Sequence, residues 1–542
     1  MIKKIAFYKL IITFFALTAI FITSNCLSFA DTQHDLTILN TNDIHGRLES
    51  FQYKNYKNLS GGIAKRATLI KDIKNANKYV LTVDAGDIAQ GTLFFKFFNG
   101  IPDMKFMSDI GYDAAVPGNH EFDKGLNTFI QMINSANFPF VCANVGFTDS
   151  ENVKISKYII KDFDDFKVGI IGIIAKDIKS RIMMGDSFKV YDPAVETRKI
   201  VHKIRPEVDL IVVLSHQGVE DDIKLAKSVP EINVIVGGHS HTLLKKPVIV
   251  QNGSNKTIIV QNGEQGVFLG RTDLKFSSKN LDSYEYKLIP VDENIKEDGI
   301  ISKQVMELSS KVHALTDEVI GIIEFPVENK SSGFLSITGL LVNEVLGKNY
   351  PDADIIFQNN GGIRVKRYIP PGNITKADIF EIFPFENKPV FAELKGSEIK
   401  SILENSSAYL PDVKDSFLQT KGISYKVDFS QNSQIMSADG TKILKKGKRV
   451  RDIFINGQPL NPKKYYKIVA NDFLFSGGDG YIQFKNAKNT VYSEVYIQDL
   501  IINYIKNNSP LNLKIQDKIN VIKGNNIEEK EIITKERLLY GT

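Results

Sequence analysis

The length, composition and charge of the chain already exclude several classes of protein. It has 542 residues, of which 43% are hydrophobic and 24% charged, and its formal net charge is +5. These values are typical of a globular protein with about two to four domains, and they exclude a disordered chain and a polytopic membrane protein. The small net charge gives little support to binding of a nucleic-acid polymer.

The first thirty residues have the pattern of a secretory signal peptide. Three lysines precede an apolar run over 10–23, which is shorter than the ~20 residues of a comfortable membrane span, and small residues follow at Ser28 and Ala30. We expect cleavage after Ala30, export to the periplasm or the medium, and no membrane span in the mature chain. An uncleaved anchor and a lipid anchor through Cys26 are the alternatives. Cleavage lowers the formal charge from +5 to +2 and leaves Cys142 as the single cysteine, so we expect no internal disulfide.

Up to about residue 290, short apolar strands alternate with amphipathic helices. Continuous apolar runs predict the strands, and apolar residues at helical spacing predict the helices between them. The predicted strands are Leu36–Leu39, Tyr79–Val83, Val168–Ile174, Leu210–Leu214 and Val234–Val236. The predicted helices are Ile63–Ile73, Asn127–Ala136 and Val195–Lys203. This alternation is typical of an α/β domain.

The remainder of the chain forms a second predicted α/β unit. An amphipathic helix is expected over 299–317, where the composition shifts, and Gly-rich turns follow at Gly361 and Gly477. We therefore divide the chain into a signal peptide (1–30), a first α/β domain (31–295), a linker helix (296–320), a second α/β domain (321–523) and a charged tail (524–542).

Side chains of the kinds that bind metals follow five apolar runs of the first domain. The five motifs are Asn42-Asp43-Ile44-His45, Asp84-Ala85-Gly86-Asp87, Gly118-Asn119-His120-Glu121, Ser215-His216 and Gly238-His239-Ser240-His241. Sites in open α/β sheets form where the carboxyl ends of the strands meet. Mixed carboxylate, imidazole and amide ligands suit borderline divalent ions such as Zn, Mn, Fe or Co. One such motif is weak evidence, but five in this arrangement predict a metal centre, in which the carboxylate of Asp87 can bridge two ions.

In this order the five motifs resemble those of calcineurin-like metallophosphoesterases. With its second half included, the chain resembles the exported 5′-nucleotidase family, which also contains UDP-sugar hydrolases and 2′,3′-cyclic-nucleotide phosphodiesterases. The resemblance covers about residues 35–523. It implies an α/β fold with a four-layer α/β/β/α metallophosphoesterase domain, a linker helix and a second α/β domain that binds substrate.

The resemblance also implies two divalent metal ions, of the zinc, manganese, cobalt or iron type. Asp87 would bridge the two ions. The remaining ligands would be Asp43, His45 and His241 on one ion, and Asn119, His216 and His239 on the other. His120 and Asp123 match the catalytic dyad of the family, in which the carboxylate orients the imidazole and the imidazole stabilises the transferring phosphoryl group.

The second domain carries the residues that the resemblance assigns to the substrate. They are Arg364, Asn387, Phe417, Phe473 and Asp479. Arg364 would contact phosphate, since guanidinium pairs with phosphate oxygens bidentately, whereas nearby Arg367 is either a second phosphate contact or an exposed charge. Phe417 and Phe473 would stack on the two faces of the base, and Asp479 would bind the ribose. Because metals and base pocket lie on different domains, the site is expected in the cleft between them.

The leading interpretation is therefore an exported, metal-dependent 5′-nucleotidase that acts on small nucleotides and not on nucleic-acid polymers. UDP-sugar hydrolysis and 2′,3′-cyclic phosphodiesterase activity are alternatives within the same family. A thiosulfohydrolase shares the metal scaffold but has no use for a base pocket. A surface binding or adhesion protein with structural metals is the alternative from another class.

Overall fold

The computed structural model describes residues 33–528 except 54–58, 149–152, 181–187, 278, 329–330, 333, 438, 514–519 and 524–525. The predicted signal peptide with Cys26 and most of the predicted tail lie outside the described residues. No helix in the described part of the chain is long and apolar enough to cross a membrane.

Two sheets form the centre of the first domain. Within the described ranges, the first sheet has seven strands, in the spatial order Asn280–Pro290, Phe268–Ser277, Gln33–Thr41, Val80–Asp84, Ala114–Ala115, Phe140–Val141 and Ile155–Ser156. The second has six, in the order Val248–Asn252, Asn255–Val260, Val234–Gly237, Leu210–His216, Lys167–Ile174 and Tyr158–Asp162. The helices described in this domain are Ile63–Ala76, Leu93–Phe98, Ile101–Ile110, Gly125–Asn134, Pro193–Ile204 and Val219–Ser228.

The strands of the second sheet are apolar on both faces because both faces are covered. Ile170 belongs to the core shared with the first sheet, whereas its neighbour Ile171 packs in a separate core with Ile200 and Leu225 of two helices. Helix Ile63–Ala76 contributes to the core of the first sheet. The layers are therefore α/β/β/α, as predicted.

The predicted elements of this domain are present, with small shifts at their ends. The helix expected to begin at Val195 begins at Pro193, because the carboxylate of Asp192 accepts hydrogen bonds from the N–H groups of Ala194 and Val195. Such a cap followed by proline is a favoured way to begin a helix.

The predicted linker helix is Gly299–Thr316, and its start is set by Asp298, whose carboxylate accepts from the N–H groups of Ile300 and Ile301. Its buried face, which includes Val305, joins the core of the first domain. The helix thus packs as part of that domain before the chain enters the second.

The second domain is also built on two main sheets. In spatial order, the described strands of one are Leu418–Lys421, Ile355–Asn359, Tyr465–Asn471, Pro389–Lys395 and Lys488–Tyr492. Those of the other are Gln458–Pro459, Val450–Ile455, Ile423–Asp428, Asn520–Lys523 and Asn526–Glu528. The described helices are Ile337–Asn349, Lys376–Ile382, Gly396–Ser406, Asp472–Phe475 and Ile497–Asn508. The sheet thus extends to Glu528, into the segment predicted as a charged tail.

Short two-stranded ribbons complete the described strands. They pair Val145–Phe147 with Phe188–Val190, Phe51–Gln52 with Leu59–Ser60, Val319–Ile323 with Gly372–Thr375, Ser331–Ser332 with Leu335–Ser336, and Ile435–Met436 with Ile443–Lys445.

Candidate functional site

A cleft of about 1160 Å³ separates the two domains. Its first wall is formed by the loops that follow the strands of the first domain, and its second wall by loops of the second domain. Most of the residues that the sequence marked as functional line this cleft or lie directly behind its wall.

Four of the predicted metal ligands converge on one point. They are Asp43, His45, Asp87 and His241, and one ligand atom from each lies within 4.8 Å of the others. The Nε2 atoms of His45 and His241 are 3.2 Å apart, and His241 Nε2 is 3.5 Å from Asp43 Oδ1. Two imidazoles and two carboxylates thus present their lone pairs to a shared space.

The other three predicted ligands form a second group that contacts Asp87 through His216. His216 Nε2 lies 3.2 Å from Asp87 Oδ2, and the rings of His216 and His239 are 5.1 Å apart. Asn119 Oδ1 lies 3.0 Å from His239 Nδ1. All seven residues therefore belong to one contiguous site, with Asp87 in contact with both groups.

Most of the predicted ligands have a strained, left-handed backbone conformation. The φ angle lies between 49° and 75° in five of the seven ligands, namely Asp43, His45, Asp87, His239 and His241. This region is uncommon for residues other than glycine and clusters at functional sites. Two hydrogen bonds tie the loops together, from Asp43 N to Gly86 O and from His45 N to Asp87 O, both 2.9 Å long. The packing holds the loops in the one arrangement that makes the side chains converge.

The donor set fits divalent cations. Burial, the largest effect, raises the pKa of Asp43 to about 6, although His216 and His241 oppose it. His216 Nε2 is buried and makes no hydrogen bond among the described residues, while its Nδ1 is 2.7 Å from Ala85 O, the orientation in which that nitrogen donates and Nε2 is left as a ligand. A buried imidazole nitrogen that faces a carboxylate oxygen at 3.2 Å, as His216 Nε2 faces Asp87 Oδ2, is suited to share a cation with it.

Three carboxylates support the ligands from behind: Glu121 and Asp222, which the sequence reasoning missed, and Asp84, which stands beside the predicted ligands in the second motif. Glu121 is buried and accepts hydrogen bonds from the N–H groups of Asp87 (3.0 Å), Ala89 (3.0 Å) and Gly118 (2.5 Å). Asp84 accepts from Gly86 N at 2.8 Å, and Asp222 accepts from Gln217 Nε2 at 3.1 Å. In the sequence, the signal for this supporting role was their position within or near the five motifs. They hold the ligand loops in place.

The predicted dyad is assembled at the same site. His120 Nδ1 lies 2.7 Å from Asp123 Oδ2, and the His120 N–H donates to Asp87 Oδ1 at 2.9 Å. The imidazole stacks on Phe385 of the second domain, with ring centroids 6.3 Å apart. Burial alone would lower the pKa of His120, but the carboxylates of Asp123 and Asp87 outweigh it and raise the pKa to about 9. The contact with Asp123 orients the ring so that it can donate a hydrogen bond into the cleft.

The second domain presents Arg364 and Asn387 to the cleft. Arg364 Nη1 lies 3.3 Å from Asp415 Oδ2, and its guanidinium is 5.7 Å above the ring of Phe385, next to the dyad. Arg367 instead forms ion pairs with Asp378 and Glu381 within its own domain. Of its two predicted roles, the structure supports a surface charge.

The two predicted stacking residues differ in exposure. Phe473 and Asp479 line the cleft, and Asp479 Oδ2 accepts from Asn359 Nδ2 at 2.8 Å. Phe417 is only 1% exposed and packs in the core beside Phe334, with centroids 6.1 Å apart. This corrects the expectation of a two-sided sandwich, because a ring that fills the core gains more from burial than from facing water.

Comparison with known proteins agrees with this arrangement. Residues 36–243 match the calcineurin-like phosphoesterase family, and residues 317–486 match the 5′-nucleotidase C-terminal domain. The snake venom 5′-nucleotidase of Crotalus adamanteus is 30% identical over 521 residues, covering 89% of this chain and 87% of that protein. The trifunctional nucleotide phosphoesterase YfkN of Bacillus subtilis is 31% identical over 84% of this chain, but the chain spans only 32% of that longer protein.

A solved structure shows the same two-domain fold. The 5′-nucleotidase precursor of Thermus thermophilus superposes with a TM-score of 0.77 at 30% identity, covering 90% of this chain and 99% of that one. The chain is therefore a hydrolase that belongs to the 5′-nucleotidase family, with a calcineurin-like phosphoesterase domain followed by a 5′-nucleotidase C-terminal domain.

Proposed function

We propose that the chain is an exported 5′-nucleotidase that releases phosphate from nucleoside 5′-monophosphates. One observation carries the proposal: a single cleft brings the Asp/His cluster and the His120–Asp123 dyad of one domain opposite Arg364, Phe473 and Asp479 of the other. The first set suits phosphoryl transfer, and the second suits a phosphate, a base and a ribose. A binding or adhesion protein has no need of an imidazole oriented by a carboxylate beside an Asp/His cluster.

In this proposal two divalent ions of the zinc, manganese, cobalt or iron type occupy the cluster. When bound, such ions lower the pKa of a water and balance charge on the phosphoryl oxygens. Asp43, His45 and His241 would hold one ion, and Asn119, His216 and His239 would hold the second, with the carboxylate of Asp87 available to both.

The remaining residues orient the substrate and stabilise charge. Asp123 accepts from Nδ1 of His120 and so directs the opposite nitrogen, Nε2, into the cleft. Nε2–H then donates to a phosphoryl oxygen or to the departing ester oxygen. Arg364 pairs with the phosphate, while Asn387 and Asp479 contact the nucleoside. Phe473 stacks on one face of the base, and Phe417 supports the pocket from the core.

The test is a substrate panel with the purified protein and Mn²⁺ or Zn²⁺. AMP, UDP-glucose and 2′,3′-cyclic AMP are compared by product identification. Phosphate release that is fastest from AMP supports the proposal. A clear preference for UDP-glucose or for the cyclic nucleotide would reassign the chain within its family, and no hydrolysis of any of the three would refute the proposal.

We further propose export with removal of residues 1–30. Sequencing the N-terminus of the mature protein tests this. A first residue of Asp31 supports cleavage, whereas a blocked Cys26 would indicate lipidation and an intact Met1 an uncleaved anchor.

A further inference from the structure

One member of the metal-type cluster of Asp43, His45, Asp87 and His241 differs from the others in its exposure. The first three are buried, whereas the side chain of His241 is 38% exposed. Packing fixes the buried side chains, but it leaves the imidazole of His241 with solvent on one side. A metal ligand in such a position depends on a hydrogen bond at its other ring nitrogen to hold its orientation.

The carboxylate of Glu264 provides this hydrogen bond. Its Oε2 lies 3.0 Å from Nδ1 of His241, and Nε2 of the same ring lies 3.5 Å from Oδ1 of Asp43. When Nδ1–H donates to the carboxylate, the lone pair of Nε2 is left for a cation. Glu264 lines the cleft, yet it belongs to none of the five motifs.

The loop that carries Glu264 is tied to the first ligand motif. Gly263 O accepts from Nδ2 of Asn42 at 2.7 Å, and the N–H of Gln265 donates to Asp43 O at 2.6 Å. Both neighbours of Glu264 have positive φ, 78° at Gly263 and 60° at Gln265. The loop is therefore held in an uncommon conformation against the backbone of a predicted ligand, and in this conformation its carboxylate faces the imidazole.

A second interpretation of Glu264 is a counter-charge for two cations of the cleft. Burial lowers the pKa of Arg47 and of Lys366, and the negative charge of Glu264 acts against this lowering. Both are coulombic effects, whereas the contact with His241 is a direct one at 3.0 Å. The geometry therefore favours the imidazole as the partner on which Glu264 acts.

We propose that Glu264 is the positioning residue of His241, and that it raises the affinity of the site for one of its two ions. The inference rests on the proposed function, in which Asp43, His45 and His241 would hold that ion. Carboxylates that accept from the second nitrogen of a metal-binding imidazole fix its ring and make it a stronger donor, and their loss typically lowers metal affinity by about 10–100-fold. Since His241 is assigned to that ion alone, the affinity for the other ion should change far less.

The test is a calorimetric titration with Mn²⁺, without substrate, of the full chain freed of metal with EDTA. The wild type is compared with Glu264→Gln, which keeps the size of the side chain and removes its charge, and with Glu264→Asp, which keeps the carboxylate on a shorter side chain. We expect the affinity for one of the two ions to fall by about 10–100-fold in Glu264→Gln and to recover in part in Glu264→Asp.

Asp317→Asn is the matched control, since it removes a carboxylate that makes the same kind of contact. Asp317 Oδ1 lies 2.9 Å from Nδ1 of His313, but this pair is exposed at the end of the linker helix, away from the metal-type cluster. Both Mn²⁺ affinities of Asp317→Asn should remain those of the wild type.

Several results of the titration would overturn the proposal. Wild-type affinities for both ions in Glu264→Gln would leave the carboxylate as a counter-charge of Arg47 and Lys366. An equal loss for both ions would show that Glu264 supports the whole site and not one imidazole. A wild type that binds no metal would remove the ligand on which the role depends.

The rate of phosphate release from AMP gives a second readout. At saturating Mn²⁺ the kcat of Glu264→Gln should approach that of the wild type, because the residue acts through a metal ligand and not on the substrate. A kcat that stays low at saturating Mn²⁺ would place the carboxylate on the substrate and overturn the assignment. Selective loss of one ion in a chain whose wild type does not hydrolyse AMP would support the role of Glu264 while refuting the proposed function.

Discussion

The tight contact between Gly118 and Asp87 provides a sharp test of how the metal-type cluster is positioned. A Cβ added at Gly118 would lie 2.1 Å from Asp87 Oδ1 and 2.4 Å from Asp87 N. The carboxylate of Glu121 binds the N–H groups of both residues, so neither loop can move away without losing a buried hydrogen bond. The substitution Gly118→Ala must therefore displace Asp87.

The size of the effect follows from the overlap. Carbon and oxygen atoms in contact lie near 3.2 Å or more, so one side must move by roughly 1 Å, a misplacement that can reduce catalysis by about 10²-fold. Crowding of this kind in a packed site also costs about 1–3 kcal/mol of stability. Because Asp87 contacts both groups of predicted ligands, we expect Gly118→Ala to lower metal content as well as kcat/KM for AMP.

The assay measures bound metal by elemental analysis, phosphate release from AMP, and unfolding in urea. Gly299→Ala is the control, since a Cβ at Gly299 meets nothing within 4 Å. Full metal content and activity within about threefold of wild type in Gly118→Ala would refute the view that Asp87 is held in place by this contact.

Three further predictions concern the dyad, the base pocket and a buried acid. Asp123→Asn should lower kcat for AMP by about 10²-fold or more, since the imidazole of His120 loses the carboxylate that orients it; an unchanged kcat would exclude the dyad. Phe473→Ala should raise the KM for AMP by about tenfold, the equivalent of one lost stacking contact, and leave the KM for p-nitrophenyl phosphate unchanged. Phe417→Ala is a core substitution and should lower the free energy of unfolding, measured in urea, by about 3–5 kcal/mol. Burial raises the pKa of Asp103 from 3.8 to about 7, so the folded chain retains a proton there that the unfolded chain releases, and stability should fall as pH rises from about 4 to about 7. In Asp103→Asn the free energy of unfolding should not show this decrease. If the free energies of unfolding of the wild type and of Asp103→Asn, measured in urea, changed in parallel over this pH range, the prediction would be contradicted.

The strands and ligand motifs could be predicted because both depend on local sequence. A buried strand is a continuous apolar run. Asp43 and Asp87 follow the ends of such strands within two or three residues, and His216 is the last residue of one. The motifs, taken in chain order, therefore predicted which residues form the site. The positive φ values of the ligand loops were not predictable in detail, because they result from hydrogen bonds between loops distant in sequence.

Features that depend on tertiary contacts could not be predicted from the sequence. Phe417 follows the polar residue Ser416, so the local sequence does not indicate burial. Only the packing of the core shows that its ring is buried. Arg367 forms ion pairs with Asp378 and Glu381 of its own domain, which the sequence could not show.

The proposed function requires that the Asp/His cluster and the dyad together hydrolyse a nucleoside monophosphate. The most direct measurement is the rate of phosphate release from AMP by the purified protein, before and after removal of divalent metals with EDTA, and by His120→Ala. We predict that chelation abolishes release, that Mn²⁺ restores it, and that His120→Ala lowers kcat by about 10²–10⁴-fold. Release that survives both chelation and loss of His120, or no release by the metal-loaded wild type, would contradict the claim.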